Sequence, residues 1–409
     1  MSCAKSCVVP RLIALHTLLS PLMKTVHLKL KEDRRITRGH PWVFSNELRE
    51  LPNELVPGEL VDVLNASGRF VGRGYINPRS LIAVRILTRN QEEINTDFIR
   101  RRISAAQDLR RRLGFGEAYR AVYSEGDGLP GLIVDKYANT LVIQSLTAGI
   151  DRLLGDIIGV LKEVFTTDAI VLRNDAASRA LEGLLQEKRV IQGSIPGPVT
   201  IEESGIVYSV DVLEGQKTGF FFDQRENRLA LKDYVGGQRV LDCFCYVGAW
   251  SLSAARFGAS EITGLDSSEN AINLASKNAE RNGLPARFRT ADVFEELRIL
   301  EKKRERFGCI VLDPPAFVKS RAKVREALKG YKEINLRAMR LLEPGGTLVT
   351  CSCSHHIDQD LFREMLIDAA FSAGRQVRLR EMRTQARDHP ILLAAQETQY
   401  LKCAILAVE

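Results

Sequence analysis

No stretch of 18 uninterrupted apolar residues occurs anywhere in the 409-residue sequence, so no segment reads as a membrane-spanning helix. Low hydrophobicity is also missing. Hydrophobic residues make up 45% and charged residues 27%. That balance excludes a wholly disordered chain and leaves enough apolar mass for several cores. No period of 20–50 residues recurs, which argues against a solenoid. Cysteine is too sparse for a secreted disulfide scaffold, with eight in the chain. Cys243/Cys245 and Cys351/Cys353 form C-x-C pairs, and Cys3, Cys7, Cys309 and Cys403 stand apart. None has the C-x-x-C spacing of zinc knuckles or redox motifs. Only His355 and His356 lie near a cysteine pair, so no metal site is expected and a reducing cytoplasm is the simplest setting.

Lys and Arg number 58 and Asp and Glu 51, a formal net charge of +7 that is compatible with nucleic acid without pointing to it. At roughly 150 residues per domain, the length predicts two to three domains. Residues 1–22 contain no acid, some base (Lys5, Arg11) and a broken apolar run. They read as a leader or a mis-called start, because a sequence resembling a domain begins at Met23.

Residues 23–95 show short apolar runs between turn residues, the pattern of a small barrel. Arg34, Arg35, Arg38 and His40 precede Pro41-Trp42-Val43-Phe44. Base beside aromatics suits an RNA contact, with a solvated turn before a core Trp42 as the plain alternative. Residues 97–113 have helical spacing and carry two Arg triplets, Arg100 to Arg102 and Arg110 to Arg112. The triplets wrap too much of the helix for all to pair locally. The helix is either solvated or phosphate-facing. Residues 96–195 alternate strands with a helix and read as a small α+β domain. From 196 to 409 the rhythm becomes βαβα, which predicts a parallel sheet with helices on both faces.

Chemistry-bearing residues fall at the ends of those strands. Val240-Leu241-Asp242-Cys243-Phe244-Cys245-Tyr246-Val247-Gly248 is a strand, a loop and a helix start. In a doubly wound sheet ligands sit there, outside the carboxyl ends of the strands. The G-x-G-x-x-G fingerprint is absent, which argues against a pyrophosphate on this turn. Asp266 after the second strand suits a ribose diol, and Asp292 after the third suits an adenine amine. A single such acid often merely caps a helix; three in register are a pattern. Asp313-Pro314-Pro315 after the fourth strand forms a stiff turn able to aim a carboxyl at a flat base. Cys351 and Cys353 follow the fifth strand and face the same crevice, although buried bystander thiols are common.

With these residues in view, residues 200–409 resemble class I S-adenosylmethionine-dependent methyltransferases. From Met23 onward the chain is similar to the ribosomal RNA large-subunit methyltransferase I family. The resemblance rests on Gly39-His40-Pro41-Trp42-Val43-Phe44, on Glu125 to Leu132 (EGDGLPGL) and on Gly215 to Arg225 (GQKTGFFFDQR). It rests also on the Asp313 turn, on Ser352-Cys353-Ser354 and on Asp388-His389-Pro390. It implies an N-terminal PUA pseudo-barrel, a small central α+β domain and a Rossmann-like catalytic domain. It also implies S-adenosylmethionine as cofactor and formation of 5-methylcytosine in 23S ribosomal RNA. A homodimer is left open.

Carbon 5 of cytosine is a poor nucleophile, and a thiolate adding to carbon 6 activates it. The family motif assigns the thiol to Cys353, with Cys351 in reserve because strand neighbours two apart point the same way. Asp313 is expected to hold the base edge. His355 is one candidate for removing the carbon 5 proton, with a structural role as its alternative. The target base must leave its stack. Asp242, Phe244, Gly248, Asp266 and Asp292 are expected around the cofactor. Phe221, Asp223 and Arg225 are expected there too, the last two near its amino-acid end. The rival readings are an exocyclic-amine or other-base RNA methyltransferase on the same fold, and a non-catalytic RNA-binding protein.

Overall fold

The computed structural model describes residues 23–51, 54–317 and 323–409. The leader 1–22 lies outside them.

The N-terminal unit holds β1 (Lys24–His27), α1 (Asp33–Thr37), β2 (Trp42–Phe44), β3 (Glu59–Leu64), β4 (Phe70–Ile76) and β5 (Ile82–Thr88). They form one sheet in the order β1-β3-β4-β5-β2. Val61 and Val63 alternate with half-buried residues and pack with Val26, Val43, Ile76 and Val84, as one-sided strands do.

The next unit begins with α2 (Thr96–Arg112) and β6 (Ala118–Tyr123). It continues through β7 (Leu132–Tyr137), β8 (Thr140–Ser145), α3 (Ala148–Val164), β9 (Ala169–Asn174) and β10 (Glu187–Gln192). Its sheet runs β10-β9-β8-β7-β6. Ile103, Ile157 and Leu161 of α2 and α3 cover one face. Tyr137, Val142 and Val171 on the other face meet the hairpin β11 (Val199–Glu203) and β12 (Ile206–Val210), together with Phe220 and Phe222.

The C-terminal unit alternates α4 (Arg225–Ala230), β13 (Arg239–Cys243), α5 (Ala249–Arg256), β14 (Glu261–Asp266), α6 (Glu269–Asn282) and β15 (Arg287–Thr290). Then come α7 (Val293–Lys302), β16 (Phe307–Leu312), α8 (Val324–Leu341), β17 (Leu342–Ser352), α9 (Gln359–Ala373), β18 (Val377–Arg383) and β19 (Lys402–Val408). The sheet order is β15-β14-β13-β16-β17-β19-β18. The first five strands are parallel, and β19 runs antiparallel to β17. Strand β16 is buried along its whole length, the apolar run of a central parallel strand. Its Ile310 and Leu312 face the cluster made with α7, α8 and α9, while Cys309 and Val311 face Trp250 and Ala254 of α5. The strand order reverses beside β13, which opens a crevice at the carboxyl ends of β13 and β16. Local signals agree with these bounds. The Ser268 side chain accepts a hydrogen bond from Ala271 N–H at the start of α6, and Gly283 ends that helix at φ +60°.

The units are tied together by buried polar groups. Arg110 is fully buried and donates to both oxygens of Asp127 (2.6 and 2.7 Å), to the Arg120 carbonyl (2.9 Å) and to the Asp388 carbonyl (2.6 Å). Trp42 Nε1 donates to Glu125 across 2.8 Å. The Tyr75 ring lies flat on Gly149, where a Cβ would come within 2.0 Å of it.

The Arg triplets of α2 are mostly paired, in part with acids from outside the helix. Arg100 binds Asp97 and Glu163, Arg101 binds Glu92, and Arg111 binds Asp108. Arg102 lies over the Phe98 ring.

Among the described residues no helix is long and apolar enough to cross a membrane, and no group of three His, Cys, Asp or Glu is arranged to hold a metal.

Removing one partner of a buried ion pair leaves an uncompensated charge, at a cost of about 3–5 kcal/mol. Arg110→Met is therefore expected to lower the free energy of unfolding, measured in urea, by that order. A change under about 1 kcal/mol would show that the Asp127 charge is relieved some other way.

Candidate functional site

One crevice at the carboxyl edge of the C-terminal sheet gathers residues from the end of β14, from the segments just after β13, β16 and β17, and from the segment before α4. Its floor is the loop after β13. Phe244 and Tyr246 hold φ of +66° and +48° there, and Gly248 holds +84°. Left-handed backbone at two side-chain-bearing residues costs of order 1–3 kcal/mol each and gathers at ligand sites. Gly248 has a second constraint: a Cβ would lie 2.9 Å from the Phe288 ring. It shapes the loop, and its neighbours Val247 and Ala249 line the crevice.

Asp242 is fully buried inside β13. Its Oδ2 accepts from Ser251 N–H (2.9 Å) and Ser251 Oγ (2.6 Å), and its Oδ1 has no partner. Burial, with the charges of Asp313 and Asp266, pushes its pKa up to about 7 against the pull of the Ser251 bonds. It clamps β13 to the start of α5 from beneath the crevice. Asp266 lines the crevice and accepts from the Tyr246 and Ser268 backbone N–H groups, both at 2.9 Å. Asp292 is exposed and accepts from Glu295 N–H at 3.0 Å as the cap of α7, away from the crevice lining. Here the plain alternative of a helix cap describes what is found.

Asp313 follows β16. Gln224 Nε2 donates to its Oδ1 and Trp250 Nε1 to its Oδ2, each at 2.9 Å. Burial and the nearby Asp223 charge push its pKa up, while Trp250, Lys217 and Gln224 pull it down. Asp223 is also buried and accepts from Lys217 Nζ (2.9 Å) and the Tyr400 hydroxyl (2.5 Å), both on Oδ2. Burial alone would raise its pKa, but Lys217, His389 and Tyr400 together hold it well below the usual carboxylate range. Its Oδ1 is buried, unpartnered and part of the crevice wall.

Cys353 is half-buried one residue past β17 and lines the crevice with Asp313. Burial raises its thiol pKa, Asp313 and Asp223 add to that, and Lys217 and Lys402 oppose it. Cys351 lies one pleat deeper, fully buried and in register with Cys403. It packs in the apolar cluster with Val349 and Ile405. Two-residue spacing gives both thiols the same side of the strand, but only Cys353 reaches past the strand end. A second thiol, Cys245, also lines the crevice, from the buried floor loop.

Phe221 and Phe244 line the crevice as well, with the Phe221 ring edge-on to Tyr246 at 5.4 Å. Phe220 and Phe222 are core residues, each 1% exposed. Arg225 lies away from the crevice lining: its Nε donates to Glu203 at 2.8 Å and its guanidinium stacks on Phe115. The expectation of a place near the cofactor gives way to a buried pairing with the β11–β12 hairpin.

In the N-terminal unit, Arg35 donates to His40 Nδ1 (2.5 Å), the Trp42 carbonyl (2.9 Å) and Glu47 (2.8 Å). Trp42 N–H also donates to His40 Nδ1 (3.1 Å). With two donors on Nδ1, the His40 proton belongs on Nε2, facing Glu397 at 3.4 Å. Burial and Arg35 push the His40 pKa down. Arg35, His40 and Trp42 thus build this corner, whereas Arg34 and Arg38 are exposed and make no ion pair among the described residues.

Lys217, Gln224, Trp250 and Tyr400 were not among the expected site residues. Lys217 and Gln224 sit inside the GQKTGFFFDQR segment, which was the available signal. Trp250 and Tyr400 carry none, since only the folded chain brings their polar atoms to Asp313 and Asp223.

Fold and crevice define a class I S-adenosylmethionine-dependent methyltransferase with an appended PUA-like unit. The PUA-like domain family matches residues 26–89, and the S-adenosylmethionine-dependent methyltransferase family matches residues 191–386. The chain belongs to the ribosomal RNA large subunit methyltransferase I family. It is 43% identical over 394 residues to the protein of that name from Shewanella amazonensis, covering 94% of this chain and 100% of the relative. The counterpart from Photobacterium profundum is 41% identical, covering 92% and 98%. Among solved structures, a chain described as a SAM-dependent methyltransferase from Streptococcus mutans superposes with a TM-score of 0.81 at 19% identity, covering 94% and 100%. Another, described as a methyltransferase complexed with SAH, superposes at 0.83 and 19% identity with the same coverage.

Asp242 generates a pH test. Its raised pKa means that the unfolded chain ionises first, so its contribution to stability is present below about pH 4 and lost as pH rises towards 7. Asp242→Asn removes that loss. Its stability relative to wild type is expected to rise by an amount on the order of 4 kcal/mol between about pH 4 and pH 7. A pH-independent difference in thermal melts would show an Asp242 carboxyl with an ordinary pKa.

Proposed function

We propose that this chain methylates carbon 5 of a cytosine in large-subunit (23S) ribosomal RNA, with Cys353 as nucleophile. The observation that carries this reading is that Cys353 and Asp313 open on one crevice from neighbouring strand ends, the same crevice that Asp266 and Asp223 line. The names of the relatives supply the RNA class.

The residues fit S-adenosylmethionine. The orphaned, ionised Oδ1 of Asp223 suits an α-ammonium. Asp266 has lone pairs left for a ribose diol, and Phe221, Phe244 and Tyr246 offer π-faces to a cation. When bound, the cofactor supplies an electrophilic methyl on a sulfonium. Asp242 and Gly248 act from outside the lining, by fixing the floor loop.

The chain's own groups do the rest. The Cys353 sulfur adds to carbon 6, and the ring's electrons move to carbon 5, which takes the methyl. Loss of the carbon 5 proton and cleavage of the S–C6 bond restore the aromatic ring. Burial favours a protonated Asp313, which then donates to the base as negative charge develops. Lys217 and Lys402 favour the thiolate that burial disfavours. The N-terminal unit presents Arg34 and Arg38 to phosphate, over the corner built by Arg35, His40 and Trp42. The same reading divides the chain into residues 23–95, 96–195 and 196–409.

Two measurements test this reading. RNA carrying 5-fluorocytidine at the target cannot lose the carbon 5 substituent, so it is expected to form a denaturant-stable adduct with wild type and with Cys351→Ser, but not with Cys353→Ser. An adduct that maps to Cys245 or Cys351 would contradict the assignment. Separately, Arg34→Ala with Arg38→Ala is expected to flatten the log-affinity against log-salt slope for RNA by about 1.5, two lost phosphate contacts at roughly 0.7–0.9 each. An unchanged slope would remove this corner from the RNA surface.

A further inference from the structure

A second groove, of about 530 Å³, lies between the central sheet and the C-terminal unit. Gln216 and Lys217 line both it and the crevice, so the two cavities adjoin across this segment. The volume falls in the range of small-ligand sites, which favour junctions between domains.

We propose that this groove binds the RNA nucleotide next to the target cytosine, its base stacked on His355. This rests on the reading of the crevice as an RNA methyltransferase site. His355 is exposed, and its ring packs on Tyr400 with centroids 5.6 Å apart and planes inclined by 35°. Tyr400 beneath it is rigid: it is buried, and its hydroxyl is tied to Asp223. The pair makes a supported stacking platform with one open face, the device by which proteins hold unstacked bases. The protein atoms packed round the inner side of the ring, with Lys402, His356 and Lys217, push the His355 pKa down, which favours the neutral ring, while the outer face stays open. Cys353 is two residues away, a span of at most about 7 Å, so a base on this platform adjoins one at the thiol.

The remaining wall fits the same occupant. Lys217 Nζ spends one proton on Asp223 and lies 4.4 Å from the Phe221 centroid and 5.8 Å from the Tyr400 centroid. Its other two protons are free for the phosphate that links the two nucleotides. Gln216 is exposed at the rim, and Gln144, whose Nε2 donates to the Arg173 carbonyl at 3.1 Å, keeps its side-chain carbonyl oxygen for a base edge. Arg173 is committed to the Val212 and Gly215 carbonyls and to Asp175, so it holds the wall in shape.

The test uses the full chain and an unmodified large-subunit ribosomal RNA transcript. Ultraviolet cross-linking followed by mass spectrometry is expected to join the His355 peptide to the nucleotide adjoining the methylated one. His355→Ala is expected to raise the KM for this RNA about tenfold, to leave the Kd for S-adenosylmethionine unchanged and to be rescued by His355→Phe. No cross-link within residues 353–357, together with a KM within about twofold of wild type, would overturn the proposal. Methylation of a base other than cytosine, with the His355 cross-link still next to it, would retire the cytosine reading and sustain the groove.

Discussion

Three carboxyl groups, Asp223, Asp266 and Asp313, line one partly dry crevice with Asp242 buried beneath it, and full charge on every one of them there is costly. The surroundings separate them. Lys217 and the Tyr400 hydroxyl hold Asp223 ionised, while Asp242 and Asp313 are pushed towards the neutral acid by burial and by their neighbours. Asp266 rests on two backbone N–H groups. This division leaves an anion at Asp223 and a carboxyl shifted towards its acid form at Asp313. It also places cations near a thiol that burial would otherwise keep inert.

The same polar logic joins the units. Asp135 of β7 takes Arg120 bidentately and also accepts the Thr218 hydroxyl, so the segment carrying Lys217, Asp223 and Gln224 is anchored to the central sheet. Asp388, fully buried, accepts from the Arg120 N–H, and its carbonyl accepts from Arg110. The central sheet is therefore part of the crevice's framework. Weakening it is equivalent to loosening the lysine that stands between the two cavities.

Much of this was legible in the sequence because it followed local rules. Parallel strands read as apolar runs, Gly283 as a helix end, and the Asp313-Pro314-Pro315 turn as a rigid strand exit. The exceptions share a physical cause. Asp292 carries the right residue type two positions past its strand, where a cap on α7 takes it instead. Arg225 lies in the motif beside the crevice, but helical rotation turns it towards Glu203. Cys351 has the parity of Cys353 without its depth. Of the α2 arginines, Arg100 pairs with the distant Glu163 as well as with Asp97, and Arg110 with Asp127. Side-chain direction at a known position, and partners supplied by distant elements, are set by tertiary packing, which spacing alone does not encode. Trp250 and Tyr400 are the limiting cases, aromatic residues whose single polar atoms define the site.

The central claim is that methyl transfer occurs at a ring carbon activated by Cys353. Tritium at carbon 5 of cytosine reports on that step directly, because the tritium must leave as the methyl arrives. With a 23S ribosomal RNA transcript tritiated at cytosine carbon 5, the account predicts one tritium released to water per methyl transferred, and neither event with Cys353→Ala. Methyl transfer without tritium release would contradict it.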